Sequence, residues 1–408
     1  MRYLILFLFL ATILSCQKEA DITIDKNASI FWTLDIVANR GNRSVVLEVG
    51  NPHGVIRDNN GNPTPPDYVE IYYGADSSNI KLYKKIATNT SKLSFNNLIN
   101  DKPYYFYIKI YTGSKFRQSD TVRTIPSTPI KVTELLSGFS QFERTMLSFS
   151  QKYISLDQNP DLTIKNRVTN TPLKIEKSGY AFKWAHQSNK LIYVSTTTEG
   201  VTRHADKIKW FDADKYTDEL ILSLDYTNYQ TGGMALSFDD KRLYINSNEG
   251  LIDKNLKDLW MIDLATKLKT KVGDFSTKQF YVTGRMSAGA DGKSILVEGG
   301  YNLPPSWLKP RYIYRYNIET KKLHVAVKSA GYSVSFSESP DGKHIAFISN
   351  YTGKDELWLL NITDQTLKQL TGGDNFDSRN ANFQWIDNQS LSMFLNTNTE
   401  LKLFKMKI

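Results

Sequence analysis

The chain has 408 residues, 40% of them hydrophobic and 12% aromatic, which is enough for about two domains with packed cores. Tyr, Phe, Thr, Ser and Asn are abundant and long amphipathic helical patterns are absent, so the composition predicts an all-β protein and excludes a helical one. The net charge of +9 is not concentrated in a basic block. This distribution favours lysines that protect strand edges from aggregation over a surface that binds acidic polymers. Nucleic acid is not a predicted partner.

The start of the chain has the pattern of a bacterial export signal, predicted over residues 1–15. Arg2 supplies a charged start, an apolar core follows, and the small residue Ser15 stands before Cys16. The apolar core is too short to span a bilayer. The letters ILSC at positions 13–16 resemble the lipobox of bacterial lipoproteins. This resemblance implies that Cys16 carries a lipid and becomes the first residue after cleavage.

Cys16 is also the only cysteine, so no disulfide can form within the chain and the exported fold depends on packing. Residues 16–29 form the predicted tether. The beginning of this tether, Gln17 to Asp21, loosely resembles the acidic surface-export signal of lipoproteins in the Bacteroidetes. We therefore expect an outer-membrane protein that is anchored through Cys16 and displayed on the cell surface, with the inner face of that membrane as the alternative.

Residues 30–125 are predicted to form a separate β-sandwich, because seven short strand-like runs occur in about a hundred residues, the size of an immunoglobulin-like domain. Leu98 followed by the letters KPYYFYIKI from position 102 resembles the tyrosine-corner strand of fibronectin type III domains. The resemblance implies that Tyr105 or Tyr107 is the corner tyrosine. Another immunoglobulin-like type is the alternative, and either domain would act as a spacer before a stiff junction at Pro126 to Pro129.

Residues 129–408 contain a repeated unit of four short strands. Its most complete copy begins with a Pro-Asp-Gly-Lys turn at 340–343, continues into an apolar strand and a strand with Leu357-Trp358, and closes at Leu370-Thr371. The turn lysines of four copies, at 190, 241, 293 and 343, are 51, 52 and 50 residues apart. The unit resembles the repeat of TolB-type β-propellers, and the repeats imply six blades, with five or seven as alternatives.

The last copy begins at Asp387, and the sequence ends before its fourth strand. Propellers usually close the ring with a strand from the other end of the propeller sequence, and Ile130 to Gly138 parallels a closing strand. The predicted fold class is therefore all-β, an immunoglobulin- or fibronectin-like sandwich at 30–125 followed by a six-bladed propeller at 129–408.

Motifs for catalysis are not found in the sequence. The five histidines lack the close spacings of metal ligands, and neither a Gly-x-Ser-x-Gly elbow nor a phosphate or dinucleotide loop occurs. We therefore predict no catalytic residue, no metal and no cofactor.

A candidate binding site follows from loop length. Three successive blades have long connections between their second and third strands, at Thr196 to Asp206, Asn248 to Lys257 and Gly299 to Arg311, and these connections share one rim. The candidate ligand-binding residues at this rim and the nearby channel opening are Arg203, His204, Arg285, Tyr301, Trp307, Arg311 and Arg379. Aromatics beside arginines suit a carbohydrate or an acidic ligand, although Trp307 could instead pack its own loop.

Two functions remain open. The favoured one is a non-catalytic binding or scaffolding lipoprotein, whose partner is a glycan, a peptide or another protein at the propeller rim. The alternative is a carbohydrate-active enzyme, a polysaccharide lyase or hydrolase that uses the propeller channel. Binding is favoured because no catalytic constellation can be named from the sequence.

Overall fold

The computed structural model describes residues 36–49, 56–57, 63–64, 66–88, 92–128, 130, 132–139, 144–157, 161–176, 179–199, 202–223, 231–248, 251, 257–301, 312–327, 335–372, 383–396 and 401–408. Every regular element in these ranges is a β-strand. A helix long and apolar enough to cross a membrane is not found among the described residues.

The first ten strands belong to the N-terminal domain. They are β1 (Ile36–Gly41), β2 (Ser44–Val49), β3 (Ile56–Arg57), β4 (Pro63–Thr64), β5 (Tyr68–Gly74), β6 (Lys81–Ile86), β7 (Lys92–Asn96), β8 (Tyr104–Thr112), β9 (Lys115–Gln118) and β10 (Val122–Thr124). One sheet has the order β1-β2-β7, the other has the order β10-β8-β5-β6 with β9 also on β8, and β3 pairs with β4. Buried and exposed residues alternate along β2 and β8, so the inner faces of the two sheets share one apolar core.

The corner tyrosine of this domain is Tyr104, the first residue of β8. The backbone N–H of Ile99 donates a hydrogen bond to the Tyr104 hydroxyl over 3.0 Å, and Tyr104 is buried. The expectation that Tyr105 or Tyr107 makes this contact is wrong, because both residues are half-exposed on the outer face of the sheet. A run of aromatic residues does not show the phase of the strand, and a one-residue shift moves each side chain to the other face.

The remaining strands form six four-stranded antiparallel sheets. β11 (Val132–Phe139) precedes blade 1, which contains β12 (Arg144–Leu147), β13 (Tyr153–Asp157), β14 (Leu162–Asn166) and β15 (Pro172–Glu176). Blade 2 contains β16 (Gly179–Trp184), β17 (Lys190–Glu199), β18 (Thr202–Asp212) and β19 (Thr217–Ser223), and blade 3 contains β20 (Thr231–Leu236), β21 (Arg242–Ser247), β22 (Asp258–Asp263) and β23 (Lys269–Gly273).

Blade 4 contains β24 (Phe280–Ala288), β25 (Ser294–Tyr301), β26 (Tyr312–Asn317) and β27 (Leu323–Val327), and blade 5 contains β28 (Phe336–Glu338), β29 (His344–Ser349), β30 (Glu356–Asn361) and β31 (Leu367–Gln369). Blade 6 contains β32 (Phe383–Asp387), β33 (Ser390–Asn396) and β34 (Leu401–Lys407), and β11 is its fourth strand. β11 runs antiparallel to β34, with Val132 opposite Met406. The predicted closure of a six-bladed ring by an early strand is therefore confirmed.

The repeated turn between the first and second strands of a blade is held by its own side chains. In blade 5 the Ser339 hydroxyl donates to Asp341 Oδ1 over 2.6 Å and accepts from the His344 N–H over 3.0 Å. Gly342 has a φ of 71°, which glycine adopts without strain. Blade 3 repeats the arrangement from Ser237 to Arg242, with Asp240 at the position of positive φ. These local contacts explain why the turn is recognisable in the sequence.

The sandwich and blade 5 share a buried junction. Arg40 on β1 donates from its guanidinium to the carbonyl oxygens of Gln369 and Leu370, over 2.7 and 2.6 Å. The Gln369 Oε1 atom accepts from the Thr124 hydroxyl and from the Ile125 N–H, over 2.9 and 3.1 Å. Arg40 is 9% exposed and Gln369 is fully buried. The sandwich therefore packs as part of the propeller wall and not as a free spacer.

Candidate ligand-binding site at the channel mouth

The first strand of each blade lines a central channel. A cavity of about 120 Å³ lies near the ends of these strands. Its wall receives a side chain from every blade, in ring order Met146, Lys183, Leu236, Met286, Ser337 and Gln384. The cavity is therefore a property of the closed ring and not of any single repeat.

A wider pocket of about 520 Å³ continues this cavity outward, on the face where first strands turn into second strands. We call this pocket the channel mouth. Residues that line both spaces are His186, Phe238, Pro340, Gln384 and Trp385. The two spaces therefore have part of their wall in common.

Two tryptophans form fixed parts of this wall. The Trp184 indole N–H donates to the Ser155 hydroxyl over 3.1 Å, and the Trp385 indole N–H donates to the Ser337 carbonyl oxygen over 3.2 Å. Their polar atoms are satisfied within the protein, so their apolar surface is what a ligand would meet. Both side chains are buried enough, at 2% and 8% exposure, to be held in one orientation.

Lys183 places a cation in this cavity. Burial lowers the pKa of its ammonium group, because removal from water disfavours the charged form. It has no ion pair or hydrogen bond with any other residue that the structure describes. Gln384, on the same wall, has a buried Oε1 atom that accepts no hydrogen bond from the described residues. A ligand could meet one donor and one acceptor here.

His186 stands at the mouth in contact with Asp240 from the next blade. Its Nδ1 atom lies 3.1 Å from Asp240 Oδ1, while the same carboxylate accepts the backbone N–H groups of His186 and Gln187 over 2.8 and 2.9 Å. A carboxylate at Nδ1 favours the tautomer with its proton on Nδ1, which leaves Nε2 as an acceptor. The Asp240 contacts also join the turns of blades 2 and 3, a structural role.

Within the described ranges, no three His, Cys, Asp or Glu side chains lie close enough together to hold a metal ion. Arg285 instead pairs with a carboxylate. It lies in the irregular part of β24, with Nη1 3.5 Å from Glu298 Oε2 on β25. Tyr301 ends β25 in the same blade and is 50% exposed, with its ring edge-on to Phe280 at 5.1 Å.

The predicted rim is at the opposite end of the blades from the channel mouth, because second-to-third connections leave from the other ends of the strands. The predicted loop at 196–206 is wrong. β17 and β18 remain paired up to Glu199 opposite Thr202, so this segment is an extended hairpin that contains Arg203 and His204. Its threonine-rich sequence explains the difference, since β-branched residues favour strands.

The side chains of Arg203 and His204 are not described, and Cys16, Trp307, Arg311 and Arg379 lie outside the described residues. The structure therefore places only Arg285 and Tyr301 among the predicted side chains, and it places them on one blade.

Sequence reasoning missed Lys183, His186 and Gln384. Lys183 and Gln384 lie within first strands and His186 follows one, and the three residues come together only when the ring closes. The available signal was Lys183 itself, a charge within the otherwise uncharged strand GYAFKW.

No family model matches the chain, and neither does any curated protein. Solved structures similar to it include TolB from Acinetobacter baumannii, with 14% identity over 75% of this chain and 76% of that chain and a TM-score of 0.41. An oligogalacturonate lyase in complex with manganese has 11% identity over 92% and 97%, with a TM-score of 0.48. An oligogalacturonate lyase from Vibrio parahaemolyticus has 11% identity over 92% and 91%, with a TM-score of 0.46. These values are too low to transfer an activity, a ligand or a location to this chain.

Proposed function

We propose that this chain is a non-catalytic binding or scaffolding lipoprotein of the cell envelope, and that an anionic end of the ligand passes the channel mouth and enters the cavity behind it. The observation that carries the proposal is the Lys183 ammonium group, which lines the cavity without an ionic partner among the described residues. The ligand class is a glycan, a peptide or a partner protein that carries a carboxylate.

The physical reason is the cost of a charge that is partly removed from water. An ammonium group that leaves water without a partner loses favourable hydration, which a ligand carboxylate would offset through a charge-assisted hydrogen bond. The Gln384 Oε1 atom would accept from a hydroxyl or amide N–H beside that carboxylate. Uronate sugars and peptide carboxyl ends both combine these groups.

The proposed cellular location rests on the sequence. The export signal and the lipobox-like letters before Cys16 support anchoring in the outer membrane through a lipid, with the protein displayed at the cell surface. The rim residues Arg203, His204, Trp307, Arg311 and Arg379 stay a proposed second contact surface.

We also infer that the sandwich is of the fibronectin type III kind. Its sheets have the orders β1-β2-β7 and β10-β8-β5-β6, and its corner tyrosine contacts the backbone five residues upstream. Both features support the resemblance that the sequence indicated.

The alternative enzyme is supported by two groups along the channel, Lys183 in the cavity and His186 where the cavity meets the mouth. Lys183 has a lowered pKa and His186 is oriented by Asp240, and enzymes tune such groups to act as general bases. A base here could remove the proton beside the carboxylate of a uronate, with loss of the neighbouring glycosidic oxygen and formation of a carbon–carbon double bond.

The test compares matched ligands by isothermal titration calorimetry. Oligosaccharides with uronates are compared with neutral ones, and peptides with free carboxyl ends with amidated ones. Lys183→Met should weaken binding of the charged member by about tenfold or more and leave the neutral member unchanged. Lys322→Met, an exposed lysine of blade 4, is the control of equal charge.

Equal affinity of the Lys183→Met variant and the unaltered protein for charged ligands would contradict the channel site. A lyase would release an unsaturated uronate, which absorbs in the ultraviolet. If this absorbance appears with the unaltered protein and is lost in His186→Ala and in Lys183→Met, the chain is a lyase and not a binding protein.

A further inference from the structure

The outer face of the second sandwich sheet carries a ladder of aromatic rings. The rings of Tyr68 and Tyr111 stack at 4.7 Å with 13° between their planes, and those of Tyr72 and Tyr107 stack at 4.5 Å with 11°. Phe116 extends the ladder, with its ring 5.4 Å from Tyr111 and half of its surface exposed. The ladder covers three neighbouring strands, β5, β8 and β9, which are two strand spacings or about 10 Å across.

Cations lie directly on this ladder. The Lys85 ammonium is 3.1 Å from the centre of the Tyr68 ring, and the Lys109 ammonium is 5.0 and 4.8 Å from the rings of Tyr72 and Phe116. The edge strands β6 and β9 have the sequences KLYKKI and KFRQ, with five cations and no carboxylate between them. Lysines on an edge strand discourage aggregation. Glu70 of β5 also lies on this face, opposite Lys85 and Lys109, and accepts a hydrogen bond from the Tyr72 hydroxyl over 2.8 Å. The two lysines over the rings outnumber this carboxylate, so the face stays positive.

The position of Arg123 is not explained by a need to protect an exposed sheet edge from aggregation. It lies on β10 at the junction, with its guanidinium 5.7 Å over the Tyr105 ring, and its backbone N–H donates to the Tyr351 carbonyl oxygen of blade 5. Its Nε atom is buried and has no hydrogen-bond acceptor, and no carboxylate among the described residues pairs with it. A guanidinium stays charged and presents a planar fork that matches a carboxylate or a sulfate.

Beyond Arg123 the propeller contributes further tyrosines, of which Tyr351 and Tyr314 are buried and Tyr301 is exposed. Burial raises the pKa of Tyr351 to about 12, with Tyr312 and Tyr105 close enough to contribute, so its hydroxyl stays protonated. The ring of Tyr314 follows, 6.2 Å from Tyr312 and 6.4 Å from Tyr301, which is half-exposed. Because Arg40 fixes the sandwich to blade 5, the ladder and these tyrosines keep one relation to each other.

We propose that this surface binds an acidic polysaccharide, with one anionic group of the chain held by Arg123. We call it the junction face, defined by Tyr68, Tyr72, Tyr107, Tyr111 and Phe116 with Lys85, Lys109 and Arg123. Its length and its cations suit an extended anionic polymer.

An anionic membrane is the weaker candidate for this face. Rings that enter a lipid surface must expose apolar area, whereas the ring faces here are covered by one another and by lysines. Glu70 and the Tyr72 hydroxyl that donates to it are polar groups on the same face, and such groups suit a partner rich in hydroxyls.

The test uses the full chain in a Lys183→Met background, so that the channel mouth does not contribute. The probes are alginate, which carries carboxylates, dextran sulfate, which carries sulfates, neutral dextran, and phosphatidylcholine vesicles with and without phosphatidylglycerol. At least one of the two acidic polymers, alginate and dextran sulfate, should bind, and neutral dextran should not. The polymer that binds more tightly identifies the anion, carboxylate or sulfate, that Arg123 prefers.

Arg123→Met should weaken binding of the preferred polymer by about tenfold or more, since a charge-assisted pair is lost. Lys92→Met, on β7 of the other sheet, removes the same charge and should leave the affinity unchanged. Arg123→Lys keeps the positive charge but lacks the paired N–H donors of a guanidinium, so it should recover only part of the affinity. Lys109→Met and Phe116→Ala, at exposed or half-exposed positions, test the ladder even if the Arg123 variants fold poorly.

Three results would each overturn the proposal. Equal losses in Arg123→Met and Lys92→Met would show general charge attraction. Unchanged affinity in the Arg123, Lys109 and Phe116 variants would place the polymer elsewhere. Binding to phosphatidylglycerol vesicles without binding to either acidic polymer would make this a membrane face.

Discussion

The junction between sandwich and propeller gives the sharpest stability prediction, through Arg40. Its guanidinium donates to the Ser127 hydroxyl and to the carbonyl oxygens of Gln369 and Leu370, and it is 9% exposed. Arg40→Ala removes these bonds and leaves buried acceptors without donors. Each hydrogen bond to a charged group contributes about 1.5–3 kcal/mol, and an unpaired buried acceptor costs about 1–3 kcal/mol.

These contributions overlap, so we expect Arg40→Ala to lower the free energy of unfolding by about 3–5 kcal/mol, as for other broken buried networks. The measurement is urea unfolding of the full chain, followed by tyrosine and tryptophan fluorescence. Arg117→Ala, an exposed arginine of β9, is the matched control and should change the free energy by less than about 0.5 kcal/mol.

Gly353 offers an independent test of the same contact. Its φ is 89°, and an added Cβ would overlap the carbonyl oxygen of Ile36 on β1. Gly353→Ala should therefore lower the free energy of unfolding, as Arg40→Ala should. If both variants unfold like the Arg117→Ala control, the junction does not couple the domains and the sandwich is a spacer.

Three further changes have clear expected outcomes. Cys16→Ala should release the protein from membranes and abolish incorporation of labelled fatty acid; persistent labelling would end the lipoprotein hypothesis. Deletion of residues 130–138 should expose the edge of β34 and cause aggregation, visible by light scattering, whereas an unchanged monomer would argue against closure by β11. Burial raises the pKa of Glu356, so the folded state holds its proton more tightly than the unfolded state, and stability falls as pH rises above the ordinary glutamate pKa. Glu356→Gln should then raise the melting temperature at neutral pH but not at pH 4, and an equal gain at both pH values would refute this cause.

The propeller could be predicted from the sequence because its signals are local and periodic. Ser339, Asp341 and Gly342 stabilise one turn through contacts within a few residues, and the same chemistry recurs near Ser237 and Asp240. Such a pattern needs no knowledge of distant residues. The closing strand was also predictable, because an incomplete last repeat requires a partner.

Other features depend on contacts that no short pattern contains. Arg40 and Gln369 meet across 329 residues, so neither residue reveals the junction by its neighbours in sequence. The corner tyrosine is the residue of an aromatic run whose hydroxyl reaches Ile99, and the run alone does not show which residue that is. The hairpin at 196–206 depends on pairing between two threonine-containing segments. The channel wall needed all six blades at once.

The contrast between two interior cations supports the distinction between structural and binding groups. Arg315 is mostly buried, and its Nη2 atom lies 2.6 Å from Glu338 Oε2 while its Nη1 atom lies 2.8 Å from the Ser294 hydroxyl. The chain thus supplies both a carboxylate and a hydroxyl to Arg315. Lys183 lines the channel cavity without such a carboxylate among the described residues, although Gln384 on the same wall differs from glutamate by one atom. The protein could have placed a carboxylate beside Lys183 by a small change in sequence but has not done so. This arrangement is expected when a ligand supplies the carboxylate.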